Sequence, residues 1–408
     1  MVAISPVLIG SDLGEYAIAR QFHEVGNSIS TTIANSPRGF INDSAILRTV
    51  IIGSGASDAA LEEALDQAAN AAIARDEKPV LLANTDTQVD FVNARRAQLE
   101  EKFAVLVTPE ESVRAVTDKS LLAPLAQKVG LKTPNEAVLT QADGVPAAAA
   151  GLQAPYILKS ASSSDWESLQ FPGKLKVYVC QTVADVERHV TAAFEAGFTG
   201  KFLLQELIPG DDTAGYVTTQ YVDRMGQITV QATARMLLAI HTPNLLGNMA
   251  LGLVEWYPEI AEPVGQLLQG IGYRGFATAD IKVDPRTGER YLLDINPRIG
   301  RSSYLMPIGG VHGLMAALAD WSGRTHDPQR TSGSAVYRIV PKRLLNRYVT
   351  DPELLAHVKK AAHDGGAIHP LDYREDRNTQ RTLFRYAASL NHMRNLREVY
   401  PRPTQTSF

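Results

Sequence analysis

The chain has 408 residues, 45% apolar and 21% charged, with a net charge of −4 and one cysteine, Cys180. That length allows roughly two to four domains with sizeable cores, and a lone cysteine excludes an internal disulfide framework. No apolar run approaches the ~20 residues of a membrane-spanning helix, and no leader is read at the start, so a cytoplasmic protein is expected.

Residues 1–115 alternate strand and helix. Strands are expected at 7–9, 29–33, 49–52, 80–82 and 103–107, with helices to 25, over 58–75 and over 88–100, which makes an α/β sandwich with a parallel sheet. Gly10-Ser11-Asp12-Leu13-Gly14 follows the first strand and reads either as a phosphate cradle or as a plain strand-to-helix turn. The polar loop 36–43 carries Arg38, a candidate substrate contact at a sheet edge.

A helix opens at Asp118-Lys119 and ends near Gly130. Residues 141–153, with Pro146 and an alanine run, read as a connection without chemistry. Residues 155–159 form a strand ending in Lys159, and the small residues 160–165 after it read as a mobile lid. A lysine there can pair with nucleotide phosphates while the loop's N–H groups close over them. Cys180 lies in a strand-like run, 176–181, where a buried, inert thiol is expected. Residues 202–207 are apolar but carry Gln205 and Glu206, a strand whose backbone suits the edge of a nucleotide base. Strands 216–222 and 227–235 form a hairpin about Asp223-Arg224-Met225-Gly226.

The stretch from Gly275 to Ser303 holds the densest chemistry. Residues 276–283 and 290–295 read as strands joined across Asp284-Pro285-Arg286-Thr287-Gly288. Asp294 and Asn296 are two apart and so share a face, and hairpin pairing brings Asp280 to the same level. Two carboxylates and a carboxamide suit Mg²⁺, which takes one or two carboxylates plus nucleotide phosphates. Arg298 and Arg301 follow, suited to an anionic substrate or a phosphoryl group in transfer.

In this order the pieces resemble the ATP-grasp superfamily over roughly residues 1–320. The stretches from Arg38 to Ser44 and from Asn296 to Ser303 resemble the carboxylate–amine ligases typified by bacterial D-aspartate ligase. The resemblance implies an α/β (α+β) ATP-grasp fold: a Rossmann-like domain over 1–115, a small subdomain with a lid loop over 116–200 and a metal-binding subdomain over 201–330. A basic, mainly helical extension follows over 331–408.

It further implies ATP between two lobes, with Gln205, Glu206, Leu207 and Ile208 on the adenine edge and Asp212 at the ribose. Lys119, Lys159, Ser160, Ser162 and Ser163 would meet the phosphates, and Asp280, Asp294 and Asn296 would bind Mg²⁺. Arg298 and Arg301 would act in catalysis, and Arg38, Arg301 and Ser302 on the substrate. Asp294 stands where the family usually has Glu, one methylene longer. The implied reaction activates an amino-acid carboxylate as an acyl phosphate and joins it to an amine, such as a peptidoglycan precursor side chain. Alternatives are a ligase making free dipeptides and a non-catalytic nucleotide-binding regulator. A homodimer is compatible with either.

The extension carries 13 Lys and Arg against 7 Asp and Glu, a net of +6, which leaves −10 on the rest. An acidic body argues against nucleic-acid binding. Asp351-Pro352-Glu353 starts a helix, and another is expected over 378–399. Arg377, Arg381 and Arg385 lie four apart and read as a basic stripe, either solvated or paired within the chain, or docking an anionic partner.

Overall fold

The structure is a computed structural model that describes residues 3–117, 119–162, 166 and 169–407, without the side chains of 119, 120 and 244. Apolar runs of the first lobe form five parallel strands: β1 (Ile4–Ile9), β2 (Ser30–Ala34), β3 (Leu47–Ile51), β4 (Lys78–Leu82) and β5 (Ala104–Val105). Their order is β3-β2-β1-β4-β5, so the chain winds one way from β1 and then the other. β1 is apolar on both faces because helices cover both. Leu8 packs with Leu13, Tyr16 and Ala17 of the helix Leu13–Gly26, and Val7 packs with Leu65 and Ala69 of the helix Asp58–Ile73.

A small four-stranded sheet follows, β6 (Glu136–Leu139), β7 (Tyr156–Ser160), β8 (Val177–Cys180) and β9 (Phe202–Glu206), in the order β6-β9-β7-β8. Cys180 is fully buried there, and burial pushes its thiol up to about 11, which leaves it inert as expected.

The large sheet is built on β10 (Gly215–Val222), β11 (Ile228–Ala239), β12 (Met249–Val254), β13 (Gly275–Val283) and β14 (Arg290–Asn296). The short β15 (Gln329–Arg330) pairs with β11. β16 (Ala335–Arg338) and β17 (Ala367–Ile368) continue past β12, giving the order β14-β13-β10-β11-β12-β16-β17. The segment after residue 330 therefore contributes strands to this sheet as well as helices. One face is closed by the helices Lys119–Lys128 and Pro258–Gly270, through Leu122, Ala126, Ile260 and Val264 against Ala279, Ile281 and Leu292. The opposite face turns toward the first lobe. The terminal helix Thr379–Val399 is capped by Asn378, whose side chain accepts from the Arg381 N–H at 2.9 Å. Among the described residues no helix is long and apolar enough to cross a membrane.

Candidate active site

The hairpin β13–β14 pairs Asp280 directly with Asp294, and Thr278 with Asn296. Opposed residues of an antiparallel pair share a face. The register shifts after Asp280, since Ile281 pairs with Leu292, which leaves Leu293 as an extra residue beside the acidic pair. Asn296 Nδ2 donates to Asp280 Oδ2 at 3.2 Å. Burial, and then the charge of Asp294, push the Asp280 carboxyl up to about 6 against the pull of Lys176, Arg298 and Lys159. The hairpin register expected from the sequence, with Asp280 at the level of Asp294, is the one observed. Among the described residues no group of three or more His, Cys, Asp or Glu forms a metal cluster. The donor set fits a hard cation that keeps waters and phosphate oxygens in its shell, and does not fit zinc.

The chain then folds back over Thr278, whose Oγ1 donates to the Arg298 carbonyl at 3.0 Å. Neither following arginine is free. Arg298 Nε donates to Asp86 Oδ1 at 2.7 Å, and its Nη2 donates to Asn296 Oδ1 at 3.0 Å. Arg301 takes Asp12 with Nε at 2.5 Å and Nη2 at 3.2 Å. Asp12 and Asp86 lie just past β1 and β4, the neighbouring strands between which the strand order reverses, where open α/β sheets place their ligands. Burial pushes the Asp12 carboxyl up, but Arg301 and the Leu13 N–H outweigh it and hold the group below its usual range. The Gly10–Gly14 turn is filled by acids: Glu15 Oε2 accepts from the Asp12 N–H at 2.8 Å. Burial and Asp12 push Glu15 up to about 7. It is the ionised Asp12, with its N–H already taken by Glu15, that makes this helix start unsuited to a phosphate. Gly14 gives room to Asn84, whose Nδ2 would stand 1.8 Å from a Cβ there and would have to turn away from any larger residue. Arg38 is exposed on its loop and its charge reaches Asp12; Ser302 is half-buried beside Arg301.

On the smaller sheet Lys159 is half-buried and pairs in register with Val177 and Leu203. Ser160 Oγ donates to the Ser162 carbonyl at 2.7 Å. Ser163 and the rest of the expected lid to residue 165 lie outside the described residues, as does the side chain of Lys119. Gln205 is buried and donates to Glu136 at 2.5 Å. Glu206 accepts from Asn135 Nδ2 at 2.9 Å and from the Gln153 N–H at 2.8 Å. The Leu207 N–H donates to the Pro155 carbonyl at 3.0 Å, which ties the linker to the turn before β7.

A cleft of about 840 Å³ runs along residues 206–209 and is lined also by Asp284, Tyr291 and Thr406, a volume in the range of small-molecule sites. Asp212, expected at the ribose, is a buried residue. Its carboxylate is 7% exposed and turned into the fold, accepting from the Ala239 N–H at 2.8 Å and lying 2.9 Å from His241 Nε2. Both contacts fall on Oδ2, and Oδ1 is buried without a hydrogen-bond partner among the described residues.

Sequence reasoning missed Asp12, Asp86 and Lys176. Asp12 was visible only as part of the glycine turn, and Asp86 only as an acid beginning a helix. Lys176 immediately precedes β8, the strand paired with Lys159, and its charge falls on Asp280 ahead of that of Lys159.

No protein-family model matches the chain. D-aspartate ligase of Enterococcus faecium (strain Aus0004) is 25% identical over 391 residues, which are 93% of this chain and 92% of that protein. Among solved structures, the biotin carboxylase domain of Hydrogenobacter thermophilus 2-oxoglutarate carboxylase, in complex with MgADP, ADP and bicarbonate, matches with a TM-score of 0.59 at 15% identity. The match covers 81% of this chain and 73% of that one. The L-amino acid ligase of Bacillus licheniformis matches with a TM-score of 0.53 at 13% identity, over 79% and 75% of the two chains. The shared architecture is that of ATP-grasp enzymes.

Proposed function

Taking the chain as an ATP-grasp enzyme related over nearly its whole length to D-aspartate ligase, we propose that it is an ATP- and Mg²⁺-dependent carboxylate–amine ligase. Its finer reaction, in this reading, adds D-aspartate to the lysine or ornithine side chain of a peptidoglycan precursor. The observation that carries the chemistry is the opposed pair Asp280 and Asp294, within the field of Lys159 and Lys176 and beside Arg298 and Arg301. The 25% identity across 93% of the chain supports the choice of substrates.

The γ-phosphoryl of ATP passes to the carboxylate, giving an acyl phosphate and ADP. The amine then attacks the carbonyl carbon, expels inorganic phosphate and gives up a proton, leaving an amide. Asp280, Asp294 and Asn296 would hold Mg²⁺, which neutralises phosphate charge when bound. Lys159 and Lys176 flank the phosphates, and Arg301 holds the carboxylate through its planar fork. Arg298 orients Asn296 through the bond to Oδ1. No protein nucleophile is needed, because positioning and charge stabilisation carry phosphoryl transfer.

The test is ADP release across D- and L-amino acids, with hydroxylamine as the amine. A hydroxamate formed with D-aspartate is expected. Failure of every amino acid to give ADP and hydroxamate together would overturn the reading.

A further inference from the structure

The extension after residue 330, in which sequence alone showed no chemistry, places two polar side chains around Arg301. Tyr337 pairs with Gly252, which pairs with Met236. A Cβ on Gly215 would stand 3.4 Å from the Met236 Cβ, and Gly215 pairs with Lys282. This rung therefore points Tyr337 to the face of Lys282, and hence of Asp280, two residues earlier on the same strand. The loop carrying Arg298 and Arg301 folds over that same face at Thr278. Tyr337 is fully buried, and its hydroxyl has no hydrogen-bond partner among the described residues.

His392 approaches from the terminal helix. It shares a helical face with Ser389, whose Oγ donates to the Ile339 carbonyl at 3.0 Å, just past β16. The charges of Arg301 and Asp12 both act on His392 and on Tyr337.

A buried hydroxyl without a partner costs about 1–3 kcal/mol, and phenylalanine would fill the same space without that cost. A ligand that supplies the missing acceptor removes the cost.

We propose that Tyr337 and His392 complete the amino-acid subsite: the Tyr337 hydroxyl donates to a substrate carboxylate held on Arg301, and His392 flanks the same guanidinium. The carboxylate exchanges with Asp12 on the guanidinium fork, so the site takes an acidic or zwitterionic amino acid. This rests on the reading of Arg301 as the carboxylate holder.

The test uses the full chain and Tyr337→Phe, which removes one oxygen and no hydrogen bond. Its melting temperature is expected to equal or exceed that of the wild type. With a non-hydrolysable ATP analogue and Mg²⁺ present, D-aspartate should raise the wild-type melting temperature and raise that of the variant far less. In the hydroxylamine assay the variant's KM for the amino acid should rise at least ~10-fold, the scale of a hydrogen bond to a charged group, with KM for ATP unchanged. His392→Ala should weaken the amino acid in the same direction. An amino-acid response in Tyr337→Phe within about twofold of the wild type, far below that hydrogen-bond scale, overturns the proposal. So does a wild type whose melting temperature no D- or L-amino acid shifts. A wild type that binds the amino acid but forms no hydroxamate would instead count against the ligase reading.

Discussion

Asp12 and Arg301 meet across 289 residues of chain in a two-pronged ion pair, with Nε at 2.5 Å and Nη2 at 3.2 Å from the carboxylate. The pair joins the turn after β1 to the loop after β14, so the two lobes meet at the point where the substrate is expected. A lysine at 301 would keep the charge and lose the planar fork. Arg301→Lys should therefore lower kcat/KM for the amino acid by about 100-fold, near 3 kcal/mol of transition-state binding. Asp12 is more than a third exposed, so the effect on stability should stay within about 1 kcal/mol. Initial rates at saturating ATP with the amino acid varied decide it; a variant within about threefold of the wild type would exclude Arg301 from carboxylate binding.

The opposed carboxylates at 280 and 294 trade stability for function. Two like charges held together on a sheet are unfavourable until a cation joins them. Asp294→Asn should lower turnover at least ~100-fold at limiting Mg²⁺, through lost charge stabilisation at the phosphoryl group. Asp280→Asn should do the same while raising the melting temperature measured with a metal chelator. A near wild-type rate in Asp294→Asn under limiting Mg²⁺ would refute the metal assignment.

The hairpin was legible because its information is local. Alternation put Asp294 and Asn296 on one face, and the Asp284–Gly288 turn fixed which residues could oppose them. The helix start at Asp351-Pro352-Glu353 was local too, and Asp351 caps it, whereas Asn378, read as part of the last helix, proves to be its cap. What sequence could not show is pairing at long range. Nothing near Arg298 or Arg301 names Asp86 or Asp12, and nothing near Asp212 names His241. The two-residue β15 and β17 carry too little pattern to be read as strands. Asp212 illustrates the general difficulty: an acid after a glycine in a linker looks exposed until its buried donors are known.

A buried histidine gives a pH dependence with a definite sign. His369 is 3% exposed, and burial, then Arg338 and Arg385, push its imidazole down to about 3 against Asp372. Above pH ~6.5 it is neutral in both the folded and unfolded chains and contributes no slope. Below that the unfolded chain takes up a proton that the folded chain refuses, so stability falls as pH drops toward 3. One such group gives about 1.4 kcal/mol per pH unit. His369→Asn keeps an acceptor, Oδ1, for the Leu371 N–H that Nδ1 now accepts from at 3.0 Å, but loses the packing of the buried ring and should be less stable at about pH 7. It should also show a shallower decline between about pH 6 and pH 4 in urea unfolding. Equal slopes for the two proteins would exclude His369 as a source of acid sensitivity.

The basic stripe of the terminal helix is an internal fastening. Arg377 precedes the helix and pairs with Asp372 at 2.7 Å, and Arg385 reaches the same carboxylate at 2.6 Å. Arg381 is buried, 3.0 Å from the fully buried carboxylate of Asp376. Its Nη1 donates to the Asn42 carbonyl at 2.8 Å, and its guanidinium lies 4.5 Å from the centre of the Tyr16 ring. Asp376 also accepts from Tyr16 Oη at 2.7 Å and the Ala45 N–H at 2.6 Å. Removing the arginine strands a buried carboxylate, a loss of about 3–5 kcal/mol. Arg381→Ala should therefore shift the urea midpoint strongly, while Arg377→Ala, at an exposed pair, should stay within about 0.5 kcal/mol. Activity lost through Arg381→Ala should fall equally with hydroxylamine and with a phosphorylated precursor as acceptor. A stable Arg381→Ala variant that fails only with the precursor would restore the docking role for the stripe.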